Sequence, residues 1–181
     1  MTSSSLIKRL CDLPGPSGCE SAVAEQIKQE IAPFGADCIT DRMGNVIAVM
    51  RFFANNDKPR KRIMISAHMD EVGFMITEIR GDGNLSIGNV GGISDAVLSG
   101  RRVKLIGKQG LINGVIASKA IHLKEKEERA KAPKASSLYI DIGAKTKKQA
   151  EKKVKIGDYF VCQPSMTKLM GTRYVGRPFD D

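Results

Sequence analysis

The 181-residue sequence has no hydrophobic run long enough to cross a membrane and no secretory signal, so we expect a cytoplasmic protein with no membrane partner. It also lacks any short-spaced cysteine pair, which argues against a zinc finger and against a disulfide framework. We expect its four cysteines to be reduced and partly buried. The 41% hydrophobic content is sufficient for one or two domains with a true core.

Aromatic residues are scarce at 5% of the chain, and this limits how the protein could bind nucleic acid. The net charge is +9, and residues 119–155 hold twelve Lys or Arg against five Asp or Glu. A basic surface of this kind can bind RNA or attract acidic peptides. Because aromatic side chains do not alternate with these lysines, as base stacking requires, we favour a solvated, loop-rich face and expect no nucleic acid partner.

Histidine is limited to His68 and His122. His68 follows the apolar, β-branched segment 63–67, which predicts a buried strand, and Asp70 stands two positions further on. Residues at this spacing on a strand point to one face, so Asp70 can accept a hydrogen bond from one ring nitrogen while the other binds a metal ion. A strand-end histidine beside a surface aspartate is the alternative reading. His122 has apolar neighbours and no such carboxylate, and we expect it to pack.

A pair of adjacent carboxylates, Asp180 and Asp181, follows a glycine and a proline in the segment 176–178. One carboxylate can bridge two cations with its two oxygens. Imidazole and carboxylate ligands together suit zinc, cobalt or manganese. The alternative for this pair is an acidic segment exposed to water.

These features belong to a series of motifs that resembles the M42 metal-dependent aminopeptidases, also called tetrahedral or glutamyl aminopeptidase-like proteins. Each motif is weak alone, but their order and spacing are specific, and the resemblance extends over the whole chain. The motifs are Gly15-Pro16-Ser17-Gly18 with Glu20, Asp41-Arg42-Met43-Gly44-Asn45, Ala67-His68-Met69-Asp70-Glu71-Val72-Gly73-Phe74, Gly91-Gly92, Gly114-Val115-Ile116, Asp141-Ile142-Gly143-Ala144, Ile156-Gly157-Asp158 and Gly176-Arg177-Pro178-Phe179-Asp180-Asp181.

The resemblance implies an α/β fold in which a zinc-aminopeptidase-like catalytic domain is interrupted by a small β-barrel-like, PDZ-like insert. Residues 1–71 would form the first part of the catalytic domain. Residues 72–163 would form the β-rich insert, which mediates dimerisation in the family, and residues 164–181 would return to the catalytic domain. Family members build dimers and then dodecamers, so the resemblance also implies a homo-oligomer.

The resemblance further implies the activity and the site. The function would be removal of N-terminal residues from peptide substrates by water activated between two divalent metal ions. His68 would be a metal ligand, Asp70 would orient it, and Asp180 would bridge the two ions, with Asp181 as the second choice. Family members carry a glutamate base and further ligands for which this chain has no counterpart, so we expect a truncated protein that is inactive alone.

Periodicity predicts the secondary structure that carries these residues. Helical spacing appears at 4–13 and 20–31, and a hairpin is predicted at 38–50. Between 73 and 163 six short strands alternate with glycine-rich turns, a pattern typical of a small barrel or sandwich, with one helix at 146–153. The catalytic residues would therefore flank a compact β insert.

Two other functions fit the sequence. One is a non-catalytic oligomerisation or interaction module built on the β insert, and the other, which is weaker, is a basic RNA-binding β domain. Zinc or cobalt binding that is lost on His68→Ala and Asp180→Ala would favour the metalloenzyme over the interaction module.

Overall fold

The computed structural model describes residues 3–51, 61–108, 110–120, 122, 125, 133–163 and 166–179. Within these residues the α-helices are α1 (Ser3–Cys11), α2 (Ser21–Ile31) and α3 (Lys147–Glu151). The strands are β1 (Asp37–Thr40), β2 (Val46–Val49), β3 (Gly73–Ile79), β4 (Leu85–Val90), β5 (Arg102–Gly107), β6 (Gly110–Ala117), β7 (Tyr139–Asp141), β8 (Tyr159–Cys162), β9 (Thr167–Lys168) and β10 (Tyr174–Val175). No helix in this part of the chain is long and apolar enough to cross a bilayer.

Six antiparallel strands close into a barrel in the order β3, β4, β7, β6, β5, β8. Closure depends on β8, which pairs with β3 on one side and with β5 on the other. The periodicity left a barrel and a sandwich open, whereas the family resemblance implied a barrel-like insert, and the double pairing of β8 confirms a barrel. All six strands lie where the alternation of apolar segments and glycine-rich turns predicts them.

The barrel interior is filled by alternate side chains of the strands. Phe74 and Phe160 are fully buried, and their rings stack with centroids 4.8 Å apart and planes inclined by 11°. Leu105 and Ile140 reach the same core from β5 and β7. Ala150 of α3 also packs into this core, whereas α1 and α2 contribute no residue to it, so the barrel has its own source of hydrophobic stabilisation.

The predicted helices are present with small shifts in their ends. α1 and α2 contact each other, and Arg9 Nε donates a hydrogen bond to Glu30 Oε1 at 2.8 Å between them. Val23 is buried, as the apolar face of α2 predicts. The helix predicted at 146–153 forms α3, where the Thr146 hydroxyl accepts the N–H of Gln149 as an N-cap.

The apolar segment 63–67 does not form the buried strand that the sequence predicts. Residues 61–70 contain no strand, and Ile63, Met64 and Ile65 are 85%, 90% and 92% exposed. A strand requires a hydrogen-bonded neighbour, and no described residue pairs with this segment. High β propensity alone therefore does not make a strand here.

The predicted hairpin of β1 and β2 is present but also largely exposed. Its turn is held by Asp41, whose Oδ1 accepts the N–H groups of Met43 at 2.8 Å and Asn45 at 2.9 Å. Hydrogen bonds, led by that from the Asn45 side chain, lower the pKa of Asp41. Ile39 on β1 and Ile47 on β2 are 61% and 43% exposed. The hairpin thus has a well-ordered turn and apolar side chains that no described residue covers.

Candidate metal site

His68 and Asp70 make the contact that their spacing predicts, although they do not follow a strand. His68 Nδ1 lies 3.1 Å from Asp70 Oδ1 and 3.1 Å from the Asp70 carbonyl oxygen. The two side chains are 53% and 37% exposed, so solvent reaches both. A carboxylate at one ring nitrogen orients an imidazole for ligation through the other nitrogen.

Asp70 has a second partner in the segment between α1 and α2. The Ser17 hydroxyl donates a hydrogen bond of 2.5 Å to Asp70 Oδ2. This hydrogen bond is the main cause of a lowered pKa at Asp70, and the hydrogen bond with His68 acts in the same direction. Asp70 is therefore ionised at neutral pH and is a strong acceptor for the imidazole N–H.

Residues 15–17 form a backbone clasp around Glu71, the residue that follows Asp70. Glu71 N–H donates to the Gly15 carbonyl at 2.9 Å, and Ser17 N–H donates to the Glu71 carbonyl at 3.2 Å. The Glu71 side chain returns to the clasp, where Oε1 accepts the Gly15 N–H at 3.0 Å. These bonds fix the backbone immediately after Asp70, and they leave Glu71 only 2% exposed.

The buried Glu71 carboxylate forms an ion pair with Arg177 from the distant end of the described chain. Burial lowers the pKa of Arg177 to about 10, so the guanidinium remains charged at neutral pH. A second contact of the same segment joins the Cys11 thiol, as donor, to the Pro178 carbonyl at 2.9 Å. The segment that leads toward Asp180 is thus attached to the segment that carries His68.

A cavity of about 330 Å³ lies beside this junction. Its walls are mainly apolar side chains of α1 and α2, while His68, Asp70 and Phe179 line another part of it. An apolar cavity with a few polar groups is the usual setting for a binding site. The cavity gives the histidine and aspartate access to a space that a ligand could enter.

The structure tests only part of the metal site predicted from the sequence. His68 and Asp70 lie together, whereas Asp180 and Asp181 lie outside the described residues. In the part of the chain that is described, no group of three His, Cys, Asp or Glu side chains could hold a metal ion. The donor chemistry of the His68 and Asp70 pair fits a metal ion, but the pair does not complete a coordination shell.

The structure contradicts the prediction for His122, and it shows a contact between Glu71 and Arg177 that the sequence did not predict. The expectation that His122 packs in the interior is wrong, because its side chain is exposed. Glu71 and Arg177 were given no role, although both lie within the quoted motifs. Their position in the motifs was the only available signal, since neither periodicity nor composition shows that two charges 106 positions apart are buried together.

The comparison with protein families matches residues 44–181 to the M42 glutamyl aminopeptidase model. The chain belongs to the M42 family. A proposed aminopeptidase from Acetivibrio thermocellus is 36% identical over 176 residues, which are 97% of this chain and 49% of that protein. The M42 chain therefore spans about half the length of the curated relatives that it matches, and the match covers their amino-terminal portion.

Solved structures of M42 relatives share this fold. A TET aminopeptidase from a marine sediment Thaumarchaeota archaeon superposes with a TM-score of 0.85 at 34% identity, covering 94% of this chain and 46% of the other. The Pyrococcus horikoshii TET1 peptidase gives a TM-score of 0.80 at 34% identity, covering 93% of this chain and 49% of the other. That peptidase can assemble into a tetrahedron or a large octahedral shell. The mixed α/β fold predicted from the motifs is confirmed at this level.

Proposed function

We propose that this chain is the amino-terminal half of an M42 aminopeptidase, which removes N-terminal residues from peptides with water activated by two divalent metal ions. His68 and Asp180 would bind the ions, with Asp181 as the second choice for the bridging carboxylate, and Asp70 would orient His68. The observation that carries the proposal is the His68–Asp70 contact on a segment that Arg177 joins to the residues preceding Asp180.

Zinc, cobalt or manganese, when bound at this site, would supply a water of lowered pKa and would polarise the scissile carbonyl. The protein's own residues have separate tasks. Because Nδ1 of His68 faces Asp70, ligation by this ring would use Nε2. The hydrogen bond from Ser17 lowers the pKa of Asp70 further below neutral pH, and the ionised carboxylate would keep the imidazole in the tautomer and orientation that ligation requires.

The residues assigned to the site are too few for a complete two-metal centre. Each zinc ion takes about four ligands, and His68 with Asp180 cannot provide them for two ions. We propose that the remaining donors and the general base come from polypeptide equivalent to the half of its relatives that this chain does not span. The exposed apolar side chains at 63–65 support this proposal. Because no described residue pairs with this β-prone segment, its backbone could pair with a strand of that additional polypeptide. The chain alone would then not hydrolyse peptides.

Metal binding tests the proposal directly. In calorimetric titrations with Zn²⁺ or Co²⁺, we expect His68→Ala and Asp180→Ala each to weaken binding at least about 100-fold, because each removes a ligand. Asp70→Ala should weaken it by roughly 10- to 100-fold, the usual effect of losing the carboxylate that orients a ligating histidine.

His122→Ala is the matched control, since it removes the only other imidazole of the chain from an exposed position. It should leave the affinity unchanged. Equal binding by the parent chain and by His68→Ala would contradict the assignment, as would loss of binding on His122→Ala.

We also propose that residues 72–163 form the PDZ-like insert, and that residues 1–71 and 164–181 belong to the catalytic domain. The closed barrel supports this division, because its strands lie between Gly73 and Cys162 and enclose a core of their own. A boundary near 71–73 also coincides with the place where the backbone clasp ends and β3 begins.

The barrel surface supports a homo-oligomer. Leu111 on β6 is 54% exposed and Ile156 is 61% exposed, so apolar side chains are available for self-association. We expect sedimentation velocity to show a discrete species larger than a monomer, and Leu111→Lys to shift it toward the monomer. A monomer over the whole micromolar range would refute this. A discrete oligomer that binds no metal would instead favour the non-catalytic interaction module.

A further inference from the structure

We propose that the buried ion pair between Glu71 and Arg177 is a positioning pair, which holds the segment carrying His68 and Asp70 against the segment leading to Asp180. This inference rests on the proposed function, because the site being positioned is the proposed metal site. Glu71 and Arg177 would not touch the metal ions or the substrate. Their contribution would be the relative placement of ligands that come from distant parts of the sequence.

Both oxygens of Glu71 are engaged within the protein, which separates this carboxylate from the metal ligands. Oε1 accepts the Gly15 N–H at 3.0 Å, and Oε2 faces Arg177 Nη1. The side chains of Glu71 and Arg177 are only 3% and 19% exposed. Glu71 lines the same cavity as His68, but its two oxygens already have these partners within the protein.

Few residues separate each member of the ion pair from the proposed metal ligand on its own segment. His68 precedes Glu71 by three residues, and Asp180 follows Arg177 by three residues. Three residues of fully extended chain reach at most about 11 Å, so the ion pair sets an upper limit on how far each ligand can move from it. The Cys11–Pro178 hydrogen bond of 2.9 Å adds a second attachment on the Arg177 side.

The chemistry of the pair favours positioning over simple stabilisation. A buried ion pair contributes little net stability compared with apolar side chains of similar size, but it has strict directional requirements. Among the residues that the structure describes, no hydrogen-bond acceptor meets Nε or Nη2 of Arg177. Within this part of the chain, Glu71 is the charged group that fixes the rigid guanidinium.

The test uses the full 181-residue chain and the variants Glu71→Gln, Arg177→Met, the double variant and Arg177→Lys. Zinc affinity is measured by calorimetry, and the thermal midpoint is measured on metal-free protein. Arg9→Met is the matched control, because Arg9 likewise forms an ion pair between two distant segments. Its partner is Glu30 at 2.8 Å, and the pair joins α1 to α2.

We expect each single substitution to weaken zinc binding about 10- to 100-fold, as is usual for residues that orient metal ligands. The double variant should regain much of the thermal midpoint lost in the single variants, because no charge is left buried without a partner. Its zinc affinity should nevertheless stay as low as theirs. Arg177→Lys should recover part of the affinity, and Arg9→Met should bind zinc like the parent.

The proposal is overturned if the double variant regains the thermal midpoint and the zinc affinity together, since that is the result of a purely structural role. It is also overturned if both single variants bind zinc like the parent. Failure of the proposed function has a different signature: the parent chain binds no zinc, or His68→Ala binds it equally well.

In that event, amide hydrogen exchange of the metal-free chain decides the positioning role. If the pair joins the two segments, Arg177→Met speeds exchange at the Glu71 and Ser17 amides, whose hydrogen bonds form the clasp. Glu71→Gln correspondingly speeds exchange over residues 176–179. Exchange that changes only in the substituted residue's own segment overturns the inference.

Discussion

Phe160→Ala should lower the free energy of unfolding of the barrel by about 3–5 kcal/mol, the usual cost of removing a buried phenylalanine. Phe160 has no exposed surface, and its ring stacks on Phe74 at 4.8 Å. Its strand, β8, joins β3 to β5, and Phe160 pairs with Phe74 on one side and with Leu105 on the other. Loss of this side chain therefore opens a cavity at the place where the barrel closes.

Urea unfolding followed by far-UV circular dichroism would measure this loss. Phe34→Ala is the matched control, because Phe34 is 72% exposed and its removal should change stability by no more than about 0.5 kcal/mol. Phe160→Leu should cost less than Phe160→Ala, since it leaves a smaller cavity. Equal losses for Phe160→Ala and Phe34→Ala would show that β8 does not close the barrel.

Gly83→Ala should destabilise the barrel by about 2–5 kcal/mol, which combines a strained backbone with overpacking. Gly83 lies in the turn between β3 and β4 with φ of 89°, a conformation that L-residues other than glycine rarely adopt. A Cβ there would lie 2.5 Å from the Ala144 carbonyl oxygen and 2.8 Å from its carbon. Because these are backbone atoms, no side-chain rotation can relieve the contact.

Gly143→Ala separates the two causes. Gly143 also has a positive φ, 79°, but a Cβ there would meet no atom within 4 Å. This variant should therefore show the backbone cost alone, about 1–2 kcal/mol. Thermal unfolding of both variants, compared under the same conditions, measures the difference. A loss at Gly143 as large as that at Gly83 would contradict the close approach of residues 83 and 144.

The β-rich part of the chain was predictable because its signals are local. Glycine-rich turns such as 80–84 separate apolar segments of strand length, and each hairpin needs only its own turn and its neighbouring strand. Thr146 likewise predicts the start of α3, because an N-cap residue acts within the first helical turn. Closure of the barrel was harder to predict from the sequence, since it depends on β8 pairing with strands that are distant along the chain.

The apolar segment 63–67 shows where local signals fail. Its composition predicts a buried strand, yet burial and strand formation both require a partner surface, and no described residue supplies one. The His68–Asp70 contact was predictable because two residues close in sequence need only a suitable local backbone. The Ser17 hydrogen bond to Asp70 was not, because it joins residues 53 positions apart.

The sequence by itself determined the three helices, the β1–β2 hairpin and the six strands between 73 and 163, the pairing of His68 with Asp70, and membership of the M42 family, because these follow from short-range patterns and from motifs in a specific order. The tertiary structure alone decided which strands pair to close the barrel. It also decided that Glu71 and Arg177 are buried together beside His68. The reason is physical: burial and long-range pairing depend on which distant segments meet, and that is a property of the folded chain as a whole.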